Sequence, residues 1–86
     1  MPNNGVYANL ESLEGTVTTE KTLNLKRKSR QIIIQNDHAT QSLKYKFNES
    51  ENFATLKGTE SLSLDFWTKT IIIDGDNIPY RIWVYG

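Results

Sequence analysis

The chain has 86 residues and a mass of 9.9 kDa, a length that predicts one small domain with a thin core. Its ten basic and ten acidic residues balance, which argues against a general polyanion binder, because such proteins gain affinity mainly by neutralising phosphates. No apolar run approaches the roughly 18 residues of a membrane-spanning helix, and no basic-then-apolar leader precedes the chain, so we expect cytoplasmic synthesis without membrane contact.

Residues 1–15 are rich in asparagine and punctuated by glycine, and they predict an N-terminal docking arm ahead of a β-domain over residues 16–86. Val6, Leu10 and Leu13 fall at the i, i+4 and i+7 spacing of one side of a short helix. Together with Tyr7, they are the apolar residues through which the arm is expected to bind. A short polar arm is ordered only when it is tied down, either by its own sheet or by a groove on a neighbouring copy. We expect the neighbouring copy.

Residues 16–25 alternate weakly and predict a strand, and residues 30–35 predict another. Between them lies a basic cluster, which consists of Lys26, Arg27, Lys28 and Arg30. A solvated turn whose lysines discourage edge-to-edge pairing is the favoured interpretation. Contact with nucleic acid or with an acidic protein surface is the alternative, and nucleic acid is the less favoured partner because the net charge is zero.

The clearest alternation in the chain covers residues 42–48, where Leu43, Tyr45 and Phe47 are predicted to point inward. Residues 49–52 have the length of a hairpin connection to a return strand over residues 53–57. Lysines flank the aromatic rings, as in platforms that stack single-stranded nucleic acid. Alternation nevertheless places the aromatic rings and the lysines on opposite faces of the strand. This favours rings that lie in the core and lysines that lie in solvent.

Residues 61–85 are the densest apolar stretch and predict three consecutive strands. The three isoleucines at positions 71–73 predict a central strand covered on both sides. The turn residues at positions 75–77 predict a hairpin between that strand and the last one. The residues predicted to face the core are Leu62, Leu64, Phe66, Tyr80, Ile82 and Val84.

Two groups of residues carry side chains of the types used in catalysis or metal binding. His38 follows Asp37, but it has no nucleophile elbow nearby and predicts an ordinary turn residue. Asp74 and Asp76 offer hard oxygen ligands, but their spacing fails the EF-hand pattern and is typical of a turn. We therefore expect no catalytic residues, no metal site and no cofactor.

The last strand carries an unusual outward stripe, because Arg81, Trp83 and Tyr85 alternate with the residues predicted to face the core. Trp67 alternates outward in the same way. Large aromatic residues and arginine are enriched at protein interfaces. Packing under the chain's own arm or second sheet, and stacking of sugar rings on Trp67, Trp83 and Tyr85, are the alternatives.

The run FATLKGTESLSLDF over residues 53–66, followed by YRIWVY over residues 80–85, resembles small all-β accessory proteins of tailed-phage virions. The resemblance covers roughly residues 32–86 and consists of strands and turns. It implies a compact β-sandwich or barrel that decorates a capsid or forms part of a tail, fibre or collar, in repeated copies. It carries no site residue over to this chain.

These observations predict an all-β fold, a compact antiparallel β-sandwich or jelly-roll-like barrel of about seven or eight short strands with an N-terminal arm. The expected role is a non-enzymatic, multi-copy structural component of a virion that binds itself or a larger virion protein. A carbohydrate-binding module is the alternative. The expected protein interface comprises Val6, Tyr7, Leu10, Leu13, Trp67, Arg81, Trp83 and Tyr85.

Overall fold

The computed structural model describes residues 8–47 and 51–86, and these form two four-stranded antiparallel sheets. The strands are β1 (Asn9–Val17), β2 (Lys21–Asn24), β3 (Gln31–Asn36), β4 (Leu43–Phe47), β5 (Ala54–Leu56), β6 (Ser61–Leu64), β7 (Thr70–Asp74) and β8 (Ile78–Tyr85). The first sheet has the order β1-β8-β3-β6 and the second the order β2-β7-β4-β5. The predicted all-β sandwich is confirmed.

The strand pairing is nested around the β4–β5 connection. Strand β4 pairs with β5, β3 with β6, β2 with β7 and β1 with β8, as if one long hairpin had been rolled up. Additional pairing of β3 with β8 and of β4 with β7 closes each sheet around its two middle strands. An eight-stranded double sheet with this connectivity is a jelly roll.

The core lies between the two sheets and is built mainly from β-branched residues. Alternate positions of the middle strands are fully buried, as in β8, where Ile78, Ile82 and Val84 have no solvent exposure. The buried isoleucines of β3 lie beside them in the same sheet, and those of β7 belong to the opposite sheet. Leu62 and Leu64 pack against this cluster while remaining half-exposed, because β6 is an edge strand, and Phe66 packs against it from the connection after β6. The predicted inward-facing positions are confirmed.

The predicted hairpin between the isoleucine strand and the last strand is wrong. Strand β7 lies in the second sheet between β2 and β4, whereas β8 lies in the first sheet between β1 and β3. The turn over residues 75–77 therefore crosses from one sheet to the other, with Asn77 at a φ of 57°. This crossing lets the buried faces of both strands meet across the core, at the roughly 10 Å spacing of packed sheets.

The N-terminal segment also differs from expectation. The residues predicted to form a short helix, Leu10 and Leu13, lie in β1, which pairs with β8 of the same chain from Asn9 to Val17. The predicted boundary after residue 15 falls inside this strand. A strand forms here because β8 offers an open row of backbone groups, whereas one or two helical turns gain too few hydrogen bonds to persist. Val6 and Tyr7 lie outside the described residues.

Short connections lie before and after β5. The predicted hairpin between residues 42–48 and 53–57 is confirmed by the pairing of β4 with β5. After β5, a side chain at Gly58 would come within 2.9 Å of the Ala39 backbone, so only glycine fits there.

Among the described residues, no helix is long and apolar enough to cross a membrane.

Candidate functional site

The outer face of the first sheet is the candidate site. We define it by the outward-pointing residues of its four strands: Ser12, Glu14, Gln31, Ile33, Gln35, Ser61, Ser63, Arg81, Trp83 and Tyr85. Strand alternation puts them here, since their neighbours in sequence fill the core. The outer face combines an apolar centre with a border of hydroxyl and amide groups.

Trp83 occupies the middle of this face. Its backbone pairs with Ile33 on one side and with Ser12 on the other, so the indole stands between two neighbouring strands. Trp83 and Ile33 are both half-buried rather than covered. Tyr85 follows on the same strand, beside Gln31. The sequence prediction that Trp83 and Tyr85 point outward is confirmed, and Ile33 is a member of the patch that the sequence analysis did not identify.

Arg81 orders one side of the patch. Its guanidinium donates two hydrogen bonds to the Asp37 carboxylate, at 2.7 Å from Nε and 2.9 Å from Nη2. The same guanidinium lies 5.3 Å from the centre of the Trp83 ring, within the range of a cation–π contact. Hydrogen bonding to Asp37, and then the charges of Asp37 and Glu14, raise the pKa of Arg81 above its ordinary value. Arg81 is therefore a fixed cation that braces the tryptophan.

A shallow depression of about 250 Å³ adjoins this braced pair. It is lined by Ser12, Leu13, Glu14, Arg81 and Trp83. Its walls carry one carboxylate and one guanidinium, and the guanidinium is already engaged by Asp37. The depression is thus open and close to neutral, and it is suited to receiving an uncharged side chain or a sugar hydroxyl.

Trp67 is separate from this face. It lies in the connection between β6 and β7 and is 62% exposed, the most exposed large hydrophobic side chain among residues 8–47 and 51–86. The Arg30 guanidinium lies 5.5 Å from its ring centre. The three aromatic residues predicted to stack sugars therefore divide into a pair on β8 and a single tryptophan at the end of the sandwich.

The segment that carries the basic cluster is hydrogen-bonded to the residues that follow Trp67. The Ser29 amide donates to the Thr68 carbonyl at 2.9 Å, and the Leu25 amide donates to the Lys69 carbonyl at 2.8 Å, so the two connections are bound together. Ser29 itself is fully buried, and its hydroxyl both donates to the Phe66 carbonyl and accepts from the Thr68 amide. The predicted solvated turn is thus anchored by one buried serine, while Lys26, Arg27 and Lys28 are exposed.

The residues considered for chemistry serve the loops. His38 accepts hydrogen bonds through Nδ1 from the amides of Thr40 and Gln41, at 3.0 and 2.9 Å, so this nitrogen shapes a turn. Asp74 ends β7, and Asp76 is exposed in the crossing turn. Within the described ranges, no group of three or more histidine, cysteine, aspartate or glutamate side chains is placed to hold a metal ion.

Asn36 is a buried anchor of the loops that the sequence pattern did not predict. It is fully buried, and its amide nitrogen donates to the carbonyls of Gln41 and Leu56, at 2.8 and 2.9 Å. Its side-chain oxygen accepts from the His38 amide at 2.9 Å. Its only local signal is the alternation of β3, in which Ile32 and Ile34 point inward and Asn36 follows them at the same spacing.

The remaining candidates of the predicted interface are on β1. Leu13 packs partly against the core, and Leu10 lies over Gly86 at a bulge in the pairing with β8. The amide of Ala8 donates to the Gly86 carbonyl at 3.2 Å, and the Gly86 amide donates back at 3.0 Å. The structure thus engages Leu10 and Leu13 within their own chain.

No protein-family model matches the chain, and the comparison with curated proteins also finds no match. Among solved structures, a protein of unknown function from Vibrio parahaemolyticus is 11% identical, with a TM-score of 0.57 over 85% of this chain and 72% of that one. A de novo designed double-stranded β-helix is 13% identical, with a TM-score of 0.57 over 88% of this chain and 99% of that one. The cupin domain of Drosophila melanogaster CENP-C has 9% identity and a TM-score of 0.49, over 87% of this chain and 58% of that one. The first two likenesses show the fold alone.

Proposed function

We propose that this protein is a non-enzymatic assembly component, present in several copies, that binds another copy of itself through the outer face of the first sheet. The observation that carries the proposal is the patch of Ile33, Trp83 and Tyr85 in the middle of that face. Apolar patches rimmed by polar groups are typical of protein interfaces, and tryptophan, tyrosine and arginine dominate their binding energy.

A second copy fits this face because the face is nearly neutral. Glu14 and Arg81 are its charged residues, and Arg81 is already held by Asp37. No strong charge of one sign calls for an oppositely charged partner. Two such faces related by a twofold axis place like patches together, which is the commonest arrangement in homodimers.

The size of the face predicts a weak contact. Four strands at about 4.8 Å spacing and about 20 Å of strand length give roughly 400 Å² per copy. Stable interfaces bury about 800 Å² per partner, so we expect a weak, transient contact that forms at high protein concentration. Weak contacts of this kind suit a component that is held by several neighbours at once.

The virion setting is proposed on the resemblance of residues 32–86 to accessory proteins of tailed-phage virions. The jelly-roll fold is compatible with such a role, but a fold by itself does not define a function. A structural role also agrees with the use of His38 to order a loop through its Nδ1 atom.

Sedimentation velocity over a range of protein concentrations tests the face. The wild type should dimerise even at about 1 M ionic strength, where charge interactions are screened beyond about 3 Å. Trp83→Ser should weaken the dimer by at least about tenfold, because it removes the central aromatic anchor.

Ile72→Ser is the matched control, since Ile72 is half-buried on the outer side of the equivalent middle strand of the second sheet. It should leave the dimer unchanged. A wild type that stays monomeric at all concentrations, or a Trp83→Ser protein that dimerises normally, would refute the proposal.

Carbohydrate binding is the second candidate, favoured by the hydroxyl and amide groups that border Trp83 and Tyr85. Gln31 donates from Nε2 to the Ser63 hydroxyl at 3.3 Å, so part of this border is already ordered. Glycan-array binding that is lost in Trp83→Ser and retained in Ile72→Ser would support this candidate. Binding that depends on Trp67 instead would exclude the outer face as its site.

A further inference from the structure

The two ends of the sandwich carry opposite charge. Residues 25–30 and 65–69, which are hydrogen-bonded to each other, form the basic end and hold five cations against Asp65: Lys26, Arg27, Lys28, Arg30 and Lys69. Its bordering acids are Glu11, whose carboxylate accepts from the Lys26 amide at 3.0 Å, and the exposed Glu51 in the part of the β4–β5 connection that the structure describes. The local excess around Trp67 is therefore positive.

The opposite end is acidic. Its four connections, residues 18–20, 37–42, 57–60 and 75–77, and the adjoining end of β7 hold Asp37, which is paired with Arg81, and four further acids. Those acids are Glu20, Glu60, Asp74 and Asp76. The cations at this end are Lys57, Lys44 on the wall of the depression, and Lys21 at the start of β2, so the acids exceed them. The six residues of β3 separate the two ends by about 20 Å, so opposite charges on one molecule do not meet.

The ends are also complementary in shape. The basic end presents the exposed indole of Trp67, with the Arg30 guanidinium 5.5 Å from its ring centre. The acidic end contains an open depression of about 430 Å³, lined by Gln41, Ser42, Lys44, Asp74, Gly75 and Asp76. The volume admits an aromatic side chain, and the carboxylates of Asp74 and Asp76 are on its wall, where cations beside the indole would reach them.

We propose that the basic end of one copy docks on the acidic end of the next, with Trp67 entering the depression beside Asp74 and Asp76. The contact is head-to-tail, so it leaves one end open on each outer copy and builds a chain or a closed ring. A second copy is favoured over nucleic acid as the occupant, because the surface of complementary charge and shape is on this same protein and the net charge of the whole chain is zero.

This contact is independent of the proposed dimer. The dimer uses Trp83 on the outer face of the first sheet, whereas the head-to-tail contact uses the two ends of the sandwich. The first is apolar and resists salt, and the second depends on charge. At about 0.01 M ionic strength, where the screening length is about 30 Å, the end contact is strongest, and at about 1 M it should weaken by at least about tenfold.

Light scattering and sedimentation at both ionic strengths test the proposal. The wild type should form species larger than the dimer only at low ionic strength. Trp67→Ser should abolish these larger species and leave the salt-resistant dimer intact. Thr22→Glu, which adds a charge at an exposed position within β2 on the outer side of the second sheet, is the control and should assemble as the wild type does.

A charge exchange tests the pairing of the two ends. Lys26→Glu with Lys28→Glu makes the basic end acidic, and Asp74→Lys with Asp76→Lys makes the acidic end basic. Each double variant alone should fail to grow beyond the dimer, and an equimolar mixture should recover the larger species. Unfolding curves check that both variants are folded, and Asp76→Lys alone replaces the second variant if Asp74→Lys unfolds the domain.

Some results would overturn the proposal. One is a wild type whose mass is the same at both ionic strengths, and another is a mixture of variants that does not recover assembly. A wild type that fails to assemble and instead binds a single-stranded oligonucleotide, with Trp67→Ser abolishing that binding, would assign the basic end to nucleic acid. A lost dimer with retained salt-dependent growth would refute only the proposed function.

Discussion

The outer faces of the two sheets differ although their inner faces are alike. On the first sheet, the middle strands β8 and β3 place Trp83 beside Ile33. On the second sheet, the middle strands β7 and β4 place Ile72 beside Lys46. One outer face therefore has an aromatic centre, and the other has a lysine at the equivalent place.

Lysines keep the second face in solvent. Lys44 is exposed on β4, and the ammonium group of Lys46 lies 4.7 Å from the centre of the Phe53 ring. The aliphatic part of a lysine covers apolar neighbours while its charge stays in water, which discourages association. The difference teaches that the two sheets of one jelly roll can present different outer faces, because alternation leaves the outward positions of each sheet free to vary.

The first prediction would break the comparison by removing an edge of the first sheet. Deleting residues 1–15 removes most of β1 and exposes the pairing edge of β8. It also takes away Leu13, which packs against the core. We expect a loss of more than about 5 kcal/mol, enough to abolish cooperative unfolding in so small a domain.

Circular dichroism during thermal unfolding measures this loss. A truncated protein that unfolds cooperatively near the wild-type temperature would mean that Ala8–Gly15 do not support the sheet. That result would restore a separable docking arm over residues 1–15.

The second prediction tests whether the inner faces are equivalent. Ile82→Ala in the first sheet and Ile71→Ala in the second each remove a fully buried side chain from a middle strand. Both should lower the free energy of unfolding by about 2 to 5 kcal/mol, through lost burial and the cavity left behind. Denaturant unfolding gives both values, and an unchanged stability in either variant would show that the two inner faces are not alike.

The third prediction would sharpen the comparison by making the second face resemble the first. Lys44→Ser with Lys46→Ser removes both charges and uncovers Phe53 and Ile72. The variant should gain a new, salt-resistant self-association in addition to that of the wild type, because charged side chains no longer cover the apolar patch of the second sheet. Sedimentation at high ionic strength detects it. Unchanged association would mean that the lysines do not account for the difference between the faces.

The sequence by itself predicted the strands other than β1 and the side of each strand on which a residue lies. Alternation separated Ile82 from Trp83 and Leu43 from Lys44, because neighbouring side chains of a strand point to opposite faces wherever the strand is placed. It also predicted the β4–β5 hairpin, since the connection has a length typical of hairpins and follows the clearest alternation in the chain.

Only the tertiary structure decided which distant residues meet. The Arg81–Asp37 pair, the Arg30–Trp67 contact and the pairing of β1 with β8 join residues that are far apart in sequence. Local periodicity says nothing about such contacts, because it does not determine which sheet a strand joins. The turn residues at positions 75–77 predicted a hairpin because they indicate a change of chain direction but not the sheet that the next strand joins. The turn became a crossing because the neighbours of β7 and β8 in their own sheets were already supplied by other strands.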